Sequence, residues 1–192
     1  MNSNIQNIIN EDSILFFDMD GTLIDTDMAN FLSYKKAIET IKESDCNITF
    51  DKNRRLNRNL LQTIIPSLSL KEYDDIVFEK ERNYKDFLPE TQPILQTLNI
   101  LATYSNRNIT VLVTNCRKDR ANLILDYHNL INKFSNIFYR IESTYKINKY
   151  SNAISLLGIE PHSIIVFENE KTEIEDAISA GIDPSNIKII LN

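Results

Sequence analysis

Ser13-Ile14-Leu15-Phe16-Phe17-Asp18-Met19-Asp20-Gly21-Thr22-Leu23-Ile24-Asp25-Thr26 runs from an unbroken apolar segment into two aspartates set two residues apart, then a glycine. A short continuous apolar run of this kind fits a strand buried on both faces. In open α/β sheets, ligands bind just past the carboxyl ends of such strands, which is where Asp18 and Asp20 stand. Two carboxylates so close can converge on one cation. Phosphoryl transfer needs a nucleophile, a counter-charge for the phosphate and a proton donor for the leaving group. Asp18 can attack phosphorus to give an aspartyl-phosphate. Asp20 can protonate the leaving alcohol and later activate water. Gly21 lets the chain turn away sharply.

Outward from this stretch, the rest of the chain falls into two rhythms. From residue 109 onward, strands (109–113, 137–140, 163–167, 187–191) alternate with helices (118–128, 146–157, 171–180). That alternation implies a parallel sheet with helices on both faces, a Rossmann-like doubly wound α/β core. Residues 91–104 read as a further helix with Pro93 in its first turn. Between them, residues 27–88 carry helical patterns only. One is expected over 28–41, with Phe31, Tyr34, Ile38 and Ile41 on one face. A second is expected over 54–65, stopped by Pro66, and a third over 70–84, opened by Ser69 with Glu72 three residues later as a capping box. The expected division is a core of residues 1–26 and 89–192 with a small helical cap, 27–88, inserted after the first strand.

FFDMDGTLIDT resembles the first motif of the haloacid-dehalogenase-like (HAD) superfamily in its phosphatase form, and the insert resembles the helical cap of its phosphoglycolate-phosphatase-like and β-phosphoglucomutase-like members. The second aspartate, absent from the dehalogenase branch, favours phosphorus chemistry over carbon–halogen cleavage. The resemblance implies further site residues. After the strand VLV, Thr114 would hydrogen-bond the transferring phosphoryl group, and Asn115 would add its amide or backbone N–H. A lysine would neutralise the aspartate–phosphate pair. Lys146 is preferred to Lys149 because it precedes the apolar phase of its helix, whereas Lys149 falls within the first turns. After the strand SIIVF, Glu168 and Asn169 would take part in holding Mg2+ with Asp18 and the carbonyl of Asp20. Relatives usually carry aspartate where Asn169 stands, and an amide brings no charge to the ion. Substrate phosphate would also meet the backbone of Gly21 and Thr22.

In the insert, Asn30 is a candidate to reach the site, the alternative being a plain helix-surface residue. Arg58, clustered with Arg54 and Arg55, is a candidate for an anionic substrate, the alternative being a solvated helix face. The function so implied is a Mg-dependent phosphatase for a small phosphorylated metabolite. The rivals are a phosphomutase of the same fold and a catalytically weak member that binds a phosphorylated ligand or a protein.

The 192 residues carry a net charge of −6, with 42% hydrophobic and 25% charged residues. An acidic balance speaks against a nucleic-acid backbone or an anionic membrane as partner. The two cysteines, Cys46 and Cys116, suggest neither a disulfide framework nor a metal cluster. Residues 1–12 are polar and acidic without an apolar run, so no signal peptide is expected. A cytoplasmic protein, monomeric or weakly dimeric, is the resulting expectation.

Overall fold

The computed structural model describes residues 8–42, 48–52 and 54–190, so Cys46 lies outside the described residues. The chain divides into two compact units, one of Met1–Ile24 with Pro93–Asn192 and one of Asp25–Gln92.

The first unit is built on five strands: β1 (Ile14–Phe17), β2 (Thr110–Val113), β3 (Asn136–Phe138), β4 (Ile164–Glu168) and β5 (Ile187–Ile189). All pairings are parallel, and the order across the sheet is β3-β2-β1-β4-β5. The order reverses direction between β1 and β4, which opens a crevice at the carboxyl ends of those strands. Every residue of β1, β2 and β4 is buried, as an all-parallel sheet covered on both faces requires.

Side-chain parity then sets the faces. Ile14, Phe16, Val111, Val113, Ile164 and Val166 share one core cluster with Tyr150, Ala153 and Ala177. Each such large side chain contributes roughly 1.5–3 kcal/mol by leaving water. On the opposite parity, Phe17 stacks on Phe167 with ring centroids 4.6 Å apart.

The second unit is helical. It contains α1 (Asp27–Lys42), α2 (Arg58–Ile64) and α3 (Leu70–Asn83), followed by a 3-10 segment, Tyr84–Glu90. Phe31, Tyr34 and Ile38 of α1 join Leu61 of α2 and Ile76 of α3 in one core, with Ile41 packed at its margin. The Ser69–Glu72 capping box forms as expected, each side chain serving the other's backbone N–H. α2 is shorter than expected. Asn57 caps it by accepting from Leu60 N at 3.0 Å, so Arg54 and Arg55 lie in the loop before it and only Arg58 is helical.

The first unit also holds α4 (Leu95–Tyr104), α5 (Lys118–Tyr127), α6 (Lys149–Leu157) and α7 (Lys171–Ser179). α4 begins four residues later than expected, and Pro93 belongs to a short strand, Gln92–Pro93, instead of a first helical turn. Thr91 faces backwards: its hydroxyl donates to Leu88 O at 2.6 Å, closing the segment before it. α6 begins at Lys149 because Asn148 accepts from Tyr150 N and Ser151 N at 2.9 and 3.1 Å. It ends at Gly158, whose φ of +62° is the left-handed geometry that suits glycine. No described helix is long and apolar enough to cross a membrane.

Candidate active site

β1 delivers Asp18 to the carboxyl edge of the sheet, where its N–H donates to Phe167 O at 3.1 Å. The chain then winds tightly. The carbonyl of Met19 accepts from the N–H groups of Thr22, Leu23 and Ile24 at 3.3, 3.0 and 3.1 Å, and Gly21 N donates to Ile24 O at 2.7 Å. Gly21 has φ +83°, and a Cβ built on it would come within 2.3 Å of the Asn169 amide. The positive φ favours glycine there, and a side chain would also push the Asn169 amide aside. The Thr97 hydroxyl donates to the Thr22 carbonyl and fixes the far side of this loop.

Parity carries through to the carboxyl ends of the strands. Asp18 follows Ile14 and Phe16, and Glu168 follows Ile164 and Val166, so both carboxylates emerge on the face that α6 covers. There they meet Lys149, whose Nζ lies 2.7 Å from Asp18 Oδ1, 2.9 Å from Glu168 Oε2 and 3.4 Å from Glu173 Oε2. Asp18, Lys149 and Glu168 are 6%, 7% and 0% exposed.

The preferred lysine is thereby corrected. Lys146 is 64% exposed and forms a surface ion pair with Asp176 at 2.7 Å. Because Asn148 caps α6, Lys149 is the first helical residue and its side chain reaches back to the strand ends. The overlooked signal was that asparagine, a standard helix-starting residue.

Glu168 is held on both of its carboxylate oxygens. Its Oε1 accepts from the N–H groups of Asn169 and Glu170 at 2.9 and 3.1 Å, and its Oε2 from Lys149 and from Tyr150 OH at 2.6 Å. These donors engage both oxygens of the carboxylate, so Glu168 braces the site. Asn169, with its amide nitrogen turned to the acceptors around it, donates to Glu168 Oε1, Thr22 Oγ1 and the Asp20 carbonyl at 3.2, 3.1 and 3.3 Å.

Thr114 is buried just past β2, and its oxygen accepts from Cys116 N at 3.0 Å. That leaves the hydroxyl proton to be directed elsewhere. The Asn115 amide is engaged by Glu173. Its Nδ2 lies 3.0 Å from both oxygens of Glu173, which links the loop after β2 to the first turn of α7.

Electrostatics follow from burial. The carboxyl of Asp18 is pushed from 3.8 up to about 8, first by burial and then by Glu168, with Lys149 opposing and Asp20 adding to the rise. Burial alone would lower the Lys149 ammonium, but Asp18, Tyr150, Glu168 and Glu173 outweigh it and hold the group well above its ordinary value. Burial likewise raises the Tyr150 phenol well above 10.0, so it stays a donor. One ammonium thus stands among three carboxylates, and the site carries surplus negative charge.

Among the described residues, no group of three His, Cys, Asp or Glu side chains forms a metal-binding cluster. The Asp18 carboxylate, Asp20 carbonyl and Asn169 amide are nevertheless hard oxygen donors, of the type that suits a magnesium ion keeping several waters. These residues fit such a cation, with a single ligand charge from Asp18.

In the helical unit, Asn30 is 4% exposed and so is not a surface residue. Its Nδ2 donates to Thr26 Oγ1 at 3.4 Å. The same oxygen accepts from Arg55 at 2.8 Å, and Arg55 also pairs with Asp27 at 3.4 Å. A cavity of about 290 Å³ lies within this unit, lined by Phe31, Phe50, Leu56 and Leu60 and by Arg54 and Arg55. Arg58 is not among its lining residues; its carbonyl accepts from Tyr73 OH at 3.4 Å.

Among curated proteins, a phosphorylated carbohydrates phosphatase of Thermotoga maritima is 27% identical over 183 residues, covering 88% of this chain and 82% of its own length. Among solved structures, a Thermotoga maritima protein provisionally assigned as a beta-phosphoglucomutase matches with a TM-score of 0.70 at 24% identity, over 94% of this chain and 86% of that one. CbbY from Rhodobacter sphaeroides, crystallised with phosphate, matches with a TM-score of 0.72 at 16% identity, over 88% and 83%. At these identities the solved structures speak for the fold. A family model described as haloacid dehalogenase-like hydrolase matches residues 15–187, from β1 to the start of β5. The chain therefore belongs to the haloacid dehalogenase-like hydrolase family.

Proposed function

We propose that this chain is a magnesium-dependent phosphatase that hydrolyses a small phosphorylated metabolite through an aspartyl-phosphate on Asp18. The observation that carries the reading is the buried pair of Lys149 and Asp18, 2.7 Å apart at the carboxyl edge of the sheet. Attack on phosphorus needs the ionised form of Asp18, which the fixed ammonium 2.7 Å away favours against the burial that raises its carboxyl, and the same ammonium is what an incoming phosphate dianion needs. The Thermotoga relative, named for phosphorylated carbohydrates, supports a sugar phosphate as the substrate class.

In the first step an oxygen of Asp18 forms a bond to phosphorus in line with the leaving oxygen. The phosphorus–oxygen bond to the leaving group breaks, and Asp20 supplies the proton that makes it an alcohol. In the second step Asp20 takes a proton from water, which attacks phosphorus and releases phosphate and the free Asp18 carboxylate. Lys149 offsets the charge on the phosphoryl oxygens in both steps, the Thr114 hydroxyl donates to one of them, and the backbone of Gly21 and Thr22 lines the approach. Magnesium, held by Asp18, the Asp20 carbonyl and Asn169, supplies positive charge against the phosphate oxygens when bound. The helical unit, Asp25–Gln92, is proposed as the cap that selects the leaving group, with Asn30 and Arg58 as its candidate contacts.

The test is turnover of a generic phosphate ester with and without magnesium, for the wild type and for Asp18→Asn. Metal-dependent hydrolysis by the wild type, and none by a folded Asp18→Asn, is the expected result. Hydrolysis by Asp18→Asn at the wild-type rate refutes the assignment. Labelled solvent water must appear in the released phosphate, which separates a phosphatase from a mutase.

A further inference from the structure

Glu168 carries no exposed surface, and the donors around its carboxylate divide unevenly. Two backbone N–H groups and the Asn169 amide hold Oε1, while Oε2 depends on two side chains, Lys149 at 2.9 Å and Tyr150 OH at 2.6 Å. The latter distance is that of a charge-assisted O–H···O⁻ bond. Lys149 is at the same time 2.7 Å from Asp18. Two buried carboxylates therefore compete for one ammonium, and the phenol sits on the side of Glu168.

From this arrangement we infer that Tyr150 is a positioning residue for the phosphoryl transfer proposed above, its hydroxyl occupying Glu168 so that Lys149 stays shared with Asp18. The inference rests on the phosphatase reading of the site. Without the hydroxyl, Oε2 would keep an open direction in dry surroundings, and an unmatched buried acceptor is costly. The nearest donor to fill it is Lys149, which would turn toward Glu168 and away from the attacking carboxylate. The ring of Tyr150 packs in the core with Ile14, Ala153 and Val166, and its face lies 5.0 Å from Lys149 Nζ. A phenylalanine keeps both of these features and loses only the hydroxyl. Packing and positioning are therefore separable at this one residue.

The experiment compares wild type, Tyr150→Phe, Glu168→Gln and the double variant with a generic phosphate ester at saturating magnesium, folding being checked by circular dichroism. Tyr150→Phe is expected to lower kcat about tenfold with KM within about twofold, because the lost interaction acts on the reacting groups and not on substrate affinity. In the Glu168→Gln background the same change is expected to cost less than about twofold, since the two act as one unit. Should Glu168→Gln not fold, Glu168→Asp, which withdraws the carboxylate from the phenol, takes its place. An unchanged kcat in Tyr150→Phe, a raised KM at constant kcat, or equal losses in both backgrounds overturns the inference while the phosphatase reading stands. An inactive wild type, or an active Asp18→Asn, overturns that reading and the inference with it.

Discussion

Lys149 Nζ and Asp18 Oδ1 lie 2.7 Å apart across 131 residues of sequence, with both side chains buried. Removing one partner of such a pair leaves an uncompensated buried charge, which costs about 3–5 kcal/mol. Lys149→Met is therefore expected to abolish turnover and to lower the urea midpoint. Lys146→Ala removes only a largely exposed partner of Asp176, and its kcat is expected within about threefold of wild type, as surface ion pairs contribute little. Steady-state kinetics on the two variants side by side checks this. A silent Lys149→Met with a dead Lys146→Ala would reverse the assignment.

Asn169 brings no charge to the proposed cation, and its amide nitrogen is held by the Asp20 carbonyl and Thr22. Ligand charge tunes the affinity of a hard oxygen site. Asn169→Asp is expected to tighten magnesium binding by roughly tenfold, read by isothermal titration calorimetry without substrate. Unchanged or weaker binding would mean that residue 169 does not face the ion.

At Gly21 two penalties coincide, a φ of +83° and a Cβ contact of 2.3 Å with the Asn169 amide. The conformation alone costs an L side chain about 1–2 kcal/mol. Gly21→Ala is expected to lose at least that much stability in chemical denaturation and to lose most of its turnover, because the shifted loop carries Asp20. Wild-type stability for this variant would contradict the geometry described for residues 18–24.

Glu72 is held down from 4.5 to about 2, first by its bond to Lys42 and then by those to Ser69. A depressed carboxyl stabilises the fold above its unfolded value, and the contribution disappears as pH falls through the folded one. Glu72→Gln is thus expected to unfold at lower urea than wild type at neutral pH, with the gap closing between 4.5 and about 2. Urea midpoints measured across that range decide it, and a gap that persists in acid would assign the effect to something other than the charge.

Much of this molecule is readable from residue order. The apolar runs at β1, β2 and β4 identify themselves, and their polar successors Asp18, Thr114 and Glu168 mark the edge where the site lies. The Ser69–Glu72 box is a local signal and forms as read. Two errors share one cause. Asn57 and Asn148 each cap a helix that the apolar pattern alone starts three or four residues early, and the second moves the site lysine from 146 to 149. The helix expected over 91–104 starts late for another reason, because the Thr91 hydroxyl closes the turn before it and Pro93 lies in a short strand. What no pattern along the chain discloses is the sharing of Lys149 among three carboxylates. That depends on which faces of β1, β4 and α6 meet, and so on the register of the sheet.

The single oxygen of Met19, gathering three amides at once, makes the loop from residue 19 to residue 24 behave as a knot tied at one point. A knot has no slack. An added or deleted residue anywhere from 19 to 24 would undo all three strands of it together, so this family member can vary its chemistry around the loop far more freely than it can vary the loop's length.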